Sequence, residues 1–192
     1  ENIEADIAFA DHLEATFEAR DTPEQKKLKQ ISDIFEAMVL TEAESSKWFG
    51  DASILKTSRF DDFINKVDMI VEWFTPSEGS RFLALAVDVT FSAESIQEKL
   101  KVIKTGIDND ELGSIRYCTD KRGDFMELRN NVPRIVIGVS KPVIEELADL
   151  WVRGEHKALN EHSIQILFLD EMVGQLTFMR GYALKNGKTA AV

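Results

Sequence analysis

The first 50 residues carry apolar side chains at helical spacing. One helix is predicted from about Ile3 to Arg20, and a second, longer one from Pro23 to Trp48. Thr22 before Pro23 is typical of a helix start, because threonine caps backbone amides and proline is tolerated in the first turn. Gly50 is suited to the end of the second helix. The apolar face of this helix consists of Leu28, Ile31, Ile34, Phe35, Met38 and Val39.

The pattern changes to β structure in the next segment. The clearest strands are residues 67–73 and 81–91, with a turn-forming segment at 75–80 between them. The short connection predicts an antiparallel hairpin. The second strand is an almost unbroken apolar run, which indicates a central strand covered on both faces. The segment 54–63 has room for one further strand.

The rest of the chain alternates between helix and strand. A helix is predicted to begin at Ser92 or Ser95, followed by short strands at 115–118 and 134–139 that a polar loop separates. Two helices, at about 142–154 and 163–185, complete the chain. The predicted order is α-α-β-β-α-β-β-α-α, which gives one α/β domain over residues 1–192, with a mixed central β-sheet flanked by helices.

The composition is that of a globular protein. At 192 residues with 44% hydrophobic residues, the chain is long enough to bury one sizeable core. No stretch approaches the roughly 20 apolar residues that span a bilayer. The acidic N-terminal segment lacks the basic and apolar parts of a secretory signal, and the single cysteine, Cys118, cannot form an internal disulfide. We therefore expect a cytoplasmic protein with no membrane span.

The charge balance limits the kind of partner. A formal net charge of −11 argues against a surface that binds nucleic acid by charge alone, because neutralising phosphates needs clustered lysine and arginine. Basic residues gather near positions 26–29, 99–104 and 121–122, but such charges on helix faces are usually solvated. Nucleic acid is therefore expected as a partner only through a local groove.

Two aspartates interrupt the predicted hairpin. Asp88 lies in the apolar run of the second strand, and Asp68 lies between Val67 and Met69 in the first. A buried carboxylate needs a partner, because burying an unpaired one is costly. If the strands are neighbours, the two carboxylates are expected within about 6 Å of each other, where they would suit one Mg²⁺ or Mn²⁺ ion.

On these residues the chain resembles the PD-(D/E)XK nuclease superfamily. That family pairs an Asp on one strand with an Asp or Glu, one residue and a Lys on the next strand, within an αβββαβ core. Val67-Asp68 is similar to the first element and Asp88-Val89-Thr90 to the second, and Glu36 is similar to a helix glutamate that many members add. The resemblance implies a restriction-endonuclease-like core at about residues 23–140, whose six elements run from Pro23 to Cys118, with extra N- and C-terminal helices at 1–50 and 142–186.

The chain departs from the family pattern at the lysine, whose position Thr90 occupies. Some members supply the lysine from the following helix instead. At ~100° per residue, Lys99 and Lys104 fall on the two borders of the apolar face of that helix, while Lys101 points away. Lys99 is nearer the strand and is the first choice. That apolar face consists of Ile96, Leu100, Ile103 and Ile107.

The resemblance implies a metal-dependent enzyme that hydrolyses phosphodiester bonds of nucleic acid. Asp68 and Asp88 would hold Mg²⁺ or Mn²⁺, with Glu36 as a third or water-mediated ligand, and Lys99 would orient the attacking water. Asp62 is a reserve site residue, since the pair Asp61-Asp62 is more typical of a turn or a helix cap. DNA or RNA, and endo- or exonuclease action, are not distinguished by the sequence.

Two other functions stay open. A nuclease fold without its lysine would serve as a binding or assembly module, and a helical adaptor would contact proteins through its first and last helices. The last helix is expected to form a core or a homodimer contact through Leu167, Phe168, Met172, Leu176, Phe178 and Met179. Surface or capping roles are expected for the three histidines, His12, His156 and His162, which lack the spacing of metal ligands.

Overall fold

The computed structural model describes residues 2–75, 81–90, 93–119, 125–126 and 129–188, and for a few of these, Asp88 among them, it describes the backbone alone. The helices are α1 (Ile3–Arg20), α2 (Pro23–Ser45), α3 (Ala93–Asp108), α4 (Lys141–Val152), α5 (His156–Asn160) and α6 (Ile164–Lys185), and a π-helical turn spans Asp61–Asn65. The strands are β1 (Ser53–Thr57), β2 (Met69–Thr75), β3 (Arg81–Thr90), β4 (Gly113–Ile115), β5 (Cys118–Thr119), β6 (Phe125–Met126), β7 (Arg129–Val132) and β8 (Arg134–Gly138).

The main sheet has the strand order β6-β5-β1-β2-β3-β8. Strands β1, β2 and β3 form an antiparallel meander, and β8 pairs with β3 in parallel after the crossover through α3. Strands β4 and β7 form a separate two-stranded sheet. The prediction of an α/β fold with a mixed central sheet and flanking helices is thus confirmed.

Two buried clusters lie on the two faces of the main sheet. The larger one combines alternate residues of the strands, such as Met69, Val71 and Val87, with residues of the helices α2, α3, α4 and α6. The smaller one is built from strand and loop residues: Leu55, Val67, Ile70, Ala86, Ile115, Cys118 and Val132. The alternation of the side chains along the strands explains this division. Both faces of the central strands are therefore covered, as the apolar run of β3 predicts.

Local sequence explains the start of α2. Thr22 accepts a hydrogen bond from the amide of Gln25, and the Gln25 side chain accepts one from the amide of Thr22, which together form a capping box. Pro23 occupies the first helical turn, as predicted. The helix ends at Ser45 and not at Trp48, and Gly50 adopts a left-handed conformation with φ of 66° in the turn that follows.

The structure corrects the sequence reading after α3. The predicted strand 115–118 is split, because β4 ends at Ile115 in the small sheet, while β5 begins at Cys118 and pairs with the outer edge of β1. The strand that follows α3 in the main sheet beside β3 is therefore β8, not a strand ending at Cys118. The predicted loop 119–133 contains β6 and β7, and of the predicted turn 75–80 only Thr75 lies inside the described residues.

Candidate functional site

Asp68 lies where β2 begins, beside the end of β3. Its backbone amide donates a hydrogen bond of 2.9 Å to the carbonyl of Val87, and Met69 is in register with the same Val87. Asp68, which immediately precedes β2, and Met69, its first residue, thus both face Val87, an arrangement of the β-bulge kind, which often aims a side chain at a site. The Asp68 residue is buried, at 8% exposure.

Asp88 is the residue that follows Val87 in β3. Its backbone is in parallel register with Val136 of β8, the strand that neighbours β3 on the side away from β2. Its side chain is outside the described part of the chain, and the distance between the carboxylates of Asp68 and Asp88 therefore stays a prediction. The backbone of the two residues meets at one place, because both lie next to Val87.

Glu36 reaches the same end of the sheet from α2. Its Oε1 lies 3.6 Å from Nζ of Lys56, and Lys56 is in register with Met69, the neighbour of Asp68. The Glu36 side chain is 23% exposed, and burial raises the pKa of its carboxyl above the usual 4.5. Lys56 lowers this pKa in part, while Asp62 and Asp33 raise it further. A half-buried carboxyl with a perturbed pKa beside other acids is typical of functional sites.

The lysines of α3 differ in their surroundings. Lys99 is half-buried, whereas Lys101 and Lys104 are exposed. The Lys104 Nζ lies 3.3 Å from Oδ2 of Asp108 on the same helix and 4.8 Å from the ring centre of Tyr182 on α6. Thr90, at the position of the family lysine, is buried at the end of β3. Of the three lysines, Lys99 therefore has the most enclosed position.

Asp61 has a structural role. It is fully buried at 0% exposure, and its carboxylate accepts hydrogen bonds from the backbone amides of Arg116 and Tyr117, at 2.7 Å and 2.8 Å. The side chains of Ser58 and Asn65 also donate to it. These four donors account for its burial, and they join the π-helical turn to the segment between β4 and β5. The neighbouring Asp62 is half-buried and lies close enough to raise the pKa of Glu36.

A cavity of about 230 Å³ lies beside this end of the sheet. Its wall includes Lys56 and Thr57, and the Thr57 amide donates to the carbonyl of Asp68 over 3.3 Å. The other wall is α1, which is held in place by Asp6, whose carboxylate accepts bonds from Arg116 and from the hydroxyl of Tyr117. Lys56 and Arg59 are the cations in its lining, and neither Asp68 nor Glu36 is among its lining residues.

The donor set suits a hard cation. Carboxylate oxygens are the ligands that Mg²⁺ and Mn²⁺ prefer, and Asp68, Asp88 and Glu36 supply only such oxygens. Among the side chains that the structure describes, no three His, Cys, Asp or Glu form a group that could hold a metal ion. The side chain of Asp88 is not among those described. The suitability of the three carboxylates for a metal ion therefore depends on the strand register and on their chemistry.

Lys56 is the residue near this site that sequence reasoning missed. It lies in the segment 54–63, where only a possible further strand was predicted, and a lysine in such a segment is unremarkable in the sequence. The pairing of β1 with β2 sets Lys56 opposite Met69, the neighbour of Asp68, and the contact of α2 with β1 brings it to Glu36. The position of Lys56 near the site thus depends on the pairing of two strands and not on a motif within one segment.

The three histidines and Cys118 differ in their exposure. His12 and His156 are exposed, and Nδ1 of His162 accepts a bond from the amide of Ile164 at the start of α6. Cys118 is buried.

Within the described residues, no helix is both long enough and apolar enough to pass through a bilayer.

Comparison with known proteins gives no relative for this chain. No family model matches it, and neither a curated protein nor a solved structure does. Its function is therefore inferred from its own residues.

Proposed function

We propose that this protein is a metal-dependent hydrolase of nucleic-acid phosphodiester bonds with a PD-(D/E)XK-like site at the end of β2 and β3. The observation that carries the proposal is the pairing at Val87 of β3, because Asp88 follows Val87 in the chain and Asp68, immediately before β2, donates its amide to the Val87 carbonyl. Glu36 comes to the same end of the sheet through its contact with Lys56. These are the three carboxylates that the resemblance assigns to the metal.

The topology supports the proposal. The elements α2, β1, β2, β3, α3 and β8 follow one another in the order αβββαβ, with the small strands β4 to β7 inserted before the last. In the sheet these strands are ordered β1-β2-β3-β8, with an antiparallel meander and a parallel last strand. A restriction-endonuclease-like core has this element order, and of the proposed aspartates Asp68 immediately precedes its second strand and Asp88 lies on its third.

The roles proposed for the residues are those that the resemblance implies. Asp68 and Asp88 would hold a Mg²⁺ or Mn²⁺ ion, and Glu36 would bind it directly or through water. When bound, the ion would withdraw electrons from the phosphate and lower the pKa of a water molecule. A lysine would orient the attacking water and offset the charge that develops on the phosphate. Lys99 is half-buried on α3, and Lys56 is the cation already beside Glu36.

A catalytically inactive nuclease-fold module is the second candidate. It is favoured by the replacement of the motif lysine with Thr90, which is buried and cannot supply a positive charge. Such a module would keep the carboxylates for binding a metal or for structure and would not cleave. The net charge of −11 supports this alternative as well, because it weakens contact with phosphate backbones.

A cleavage assay separates the two functions. The full chain is incubated with end-labelled single- and double-stranded DNA and RNA, with Mn²⁺ or with a chelator. The proposal expects Mn²⁺-dependent cleavage that is lost in Asp88→Asn and kept in Asp51→Asn, since Asp51 is an exposed residue paired with Lys47. Mn²⁺ binding without cleavage by the wild type would establish the inactive module. A wild type that neither binds Mn²⁺ nor cleaves would overturn the hydrolase proposal and leave only a module that keeps the carboxylates for structure.

A further inference from the structure

The outward face of α6 exposes a row of side chains along the whole helix. Its inward face carries Gln175, whose amide group binds the backbone of Val136 in β8. At about 100° per residue, a definite set of residues falls within some 40° of the direction opposite Gln175. We call this set the α6 seam, and it consists of Ile166, Asp170, Val173, Thr177, Arg180 and Leu184.

The α6 seam has the spacing of a helix–helix contact. All six residues are exposed, and the apolar ones, Ile166, Val173 and Leu184, are 61%, 62% and 57% exposed. Consecutive seam residues are separated by four and three positions in turn, the 3.5-residue period at which one helix packs along another. A helix face that contacts only solvent is usually polar, whereas apolar side chains repeated at this period are typical of a contact surface.

The α6 seam is complementary to the seam of a second copy that runs in the opposite direction. In an antiparallel pair of α6 helices centred on Gln175, residues equally far before and after position 175 face each other. Ile166 then meets Leu184 of the second copy, Asp170 meets Arg180, and Val173 meets Thr177. The outer contacts are apolar and the intermediate ones join opposite charges.

We infer that α6 forms an antiparallel homodimer contact through this seam. The twofold arrangement creates two Asp170–Arg180 pairs, whereas a parallel pair would set Asp170 against Asp170 and Arg180 against Arg180. Beside the seam, Leu169 lies opposite Gly181, and the space around Gly181 is open, with nothing within 4 Å of an added Cβ. From Ile166 to Leu184 the contact is about 27 Å long at 1.5 Å per residue.

Charge exchange across the seam tests the inference. Asp170→Arg alone places two arginines opposite each other, and Arg180→Asp alone places two aspartates opposite each other. Sedimentation of the full chain is expected to show a dimer for the wild type and a dimer dissociation constant raised at least about tenfold for each variant. An equimolar mixture of the two variants is expected to dimerise again, because each pair then joins an arginine and an aspartate. The double variant is expected to dimerise as well.

The matched control is the Asp149–Arg153 pair on α4, an exposed ion pair of 2.6 Å with the same residue types. Asp149→Arg and Arg153→Asp are expected to leave the dimer unchanged. Circular dichroism checks that all the variants are folded. A wild type that is monomeric at every concentration would overturn the inference, leaving the seam for another kind of partner. A dimer that neither single variant weakens would also overturn it, because its contact would lie elsewhere.

Discussion

The amide of Asp68 donates to the carbonyl of Val87 over 2.9 Å, and this bond ties the start of β2 to the residue immediately before Asp88. It is a backbone contact and so does not depend on the charge of either aspartate. Met69 is in register with the same Val87, which makes Asp68 an extra residue on the β2 side. The bend that results is the local feature on which the proposed metal site depends.

Neutral substitutions at the two aspartates are expected to separate metal binding from folding. Close carboxylates without a metal repel each other and resist burial, so Asp68→Asn and Asp88→Asn should leave the metal-free protein as stable as the wild type or more stable. Both should abolish the rise in melting temperature that Mn²⁺ gives to the wild type. Asp51→Asn is the control and should keep that rise. Unfolding of Asp88→Asn would instead identify Asp88 as a structural hydrogen-bond acceptor.

The lysine is tested by substituting the candidates one at a time. If Lys99 replaces the lysine missing at Thr90, Lys99→Ala should lower Mn²⁺-dependent cleavage by about 10²-fold, a typical loss for one preorganised charge. Lys101→Ala is the control, because Lys101 is exposed on the same helix. Lys56→Ala, measured in parallel, tests whether Lys56, the cation beside Glu36, replaces the missing lysine instead. If cleavage persists undiminished in all three, no lysine among them completes the site.

Glu36 should make stability depend on pH in a definite direction. Burial holds the pKa of this carboxyl above 4.5, so the folded protein favours the protonated acid. Well below pH 4.5 the acid is protonated in both states and costs nothing, and as the pH rises through the folded pKa its ionisation destabilises the fold. Glu36→Gln should therefore stabilise the metal-free protein at pH 7 and have a smaller effect at pH 4, as measured by urea unfolding.

The exposed residue Asp149 gives a control for this experiment, because Asp149→Asn should show no comparable gain at pH 7. A Glu36→Gln variant that is less stable than the wild type at pH 7 would mean that the ion pair with Lys56 outweighs the cost of burial. In that case Glu36 would be a structural partner of β1.

The sequence predicts the helices and the central strands well because their signals are local. The helix start at Thr22 and the apolar run of β3 each depend on neighbouring residues, and both predictions are confirmed. The position of β8 beside β3 was missed, because the connection includes four short strands whose partners are distant in the chain. The strand 115–118 was assigned to the core in its place.

The residues of the candidate site also divide into those with a local sequence signal and those without one. Asp68 and Asp88 stand out in the sequence, because each is a charge within an apolar strand. The importance of Lys56 depends on the pairing of β1 with β2, and the structural role of Asp61 depends on amides 55 and 56 residues away. Spacing along the chain carries no signal for contacts of this kind.

Removing the Asp61 carboxylate is expected to destabilise the fold without touching the metal site. Asp61→Ala leaves the buried amides of Arg116 and Tyr117 without an acceptor, and the loss should be on the order of 3 kcal/mol, since each buried unsatisfied group costs about 1–3 kcal/mol. Urea unfolding measures it, with Asp51→Ala as the exposed control. A loss below about 1 kcal/mol would mean that water reaches these amides.

Gln175 provides the last prediction, because its side chain takes the place of a strand at the edge of the sheet. Its Oε1 accepts from the amide of Val136 over 2.9 Å, and its Nε2 donates to the Val136 carbonyl over 2.7 Å. Gln175→Ala would leave both groups of this edge strand without their partner, at a cost of about 1–3 kcal/mol each where water cannot replace it. Hydrogen exchange at the Val136 amide should accelerate accordingly, while Gln165→Ala, which removes a single bond to the Asn160 carbonyl, should leave that amide protected. Because Gln175 faces away from the α6 seam, the variant should still dimerise, and unchanged exchange at Val136 would show that α6 does not cover the edge of β8 through this side chain.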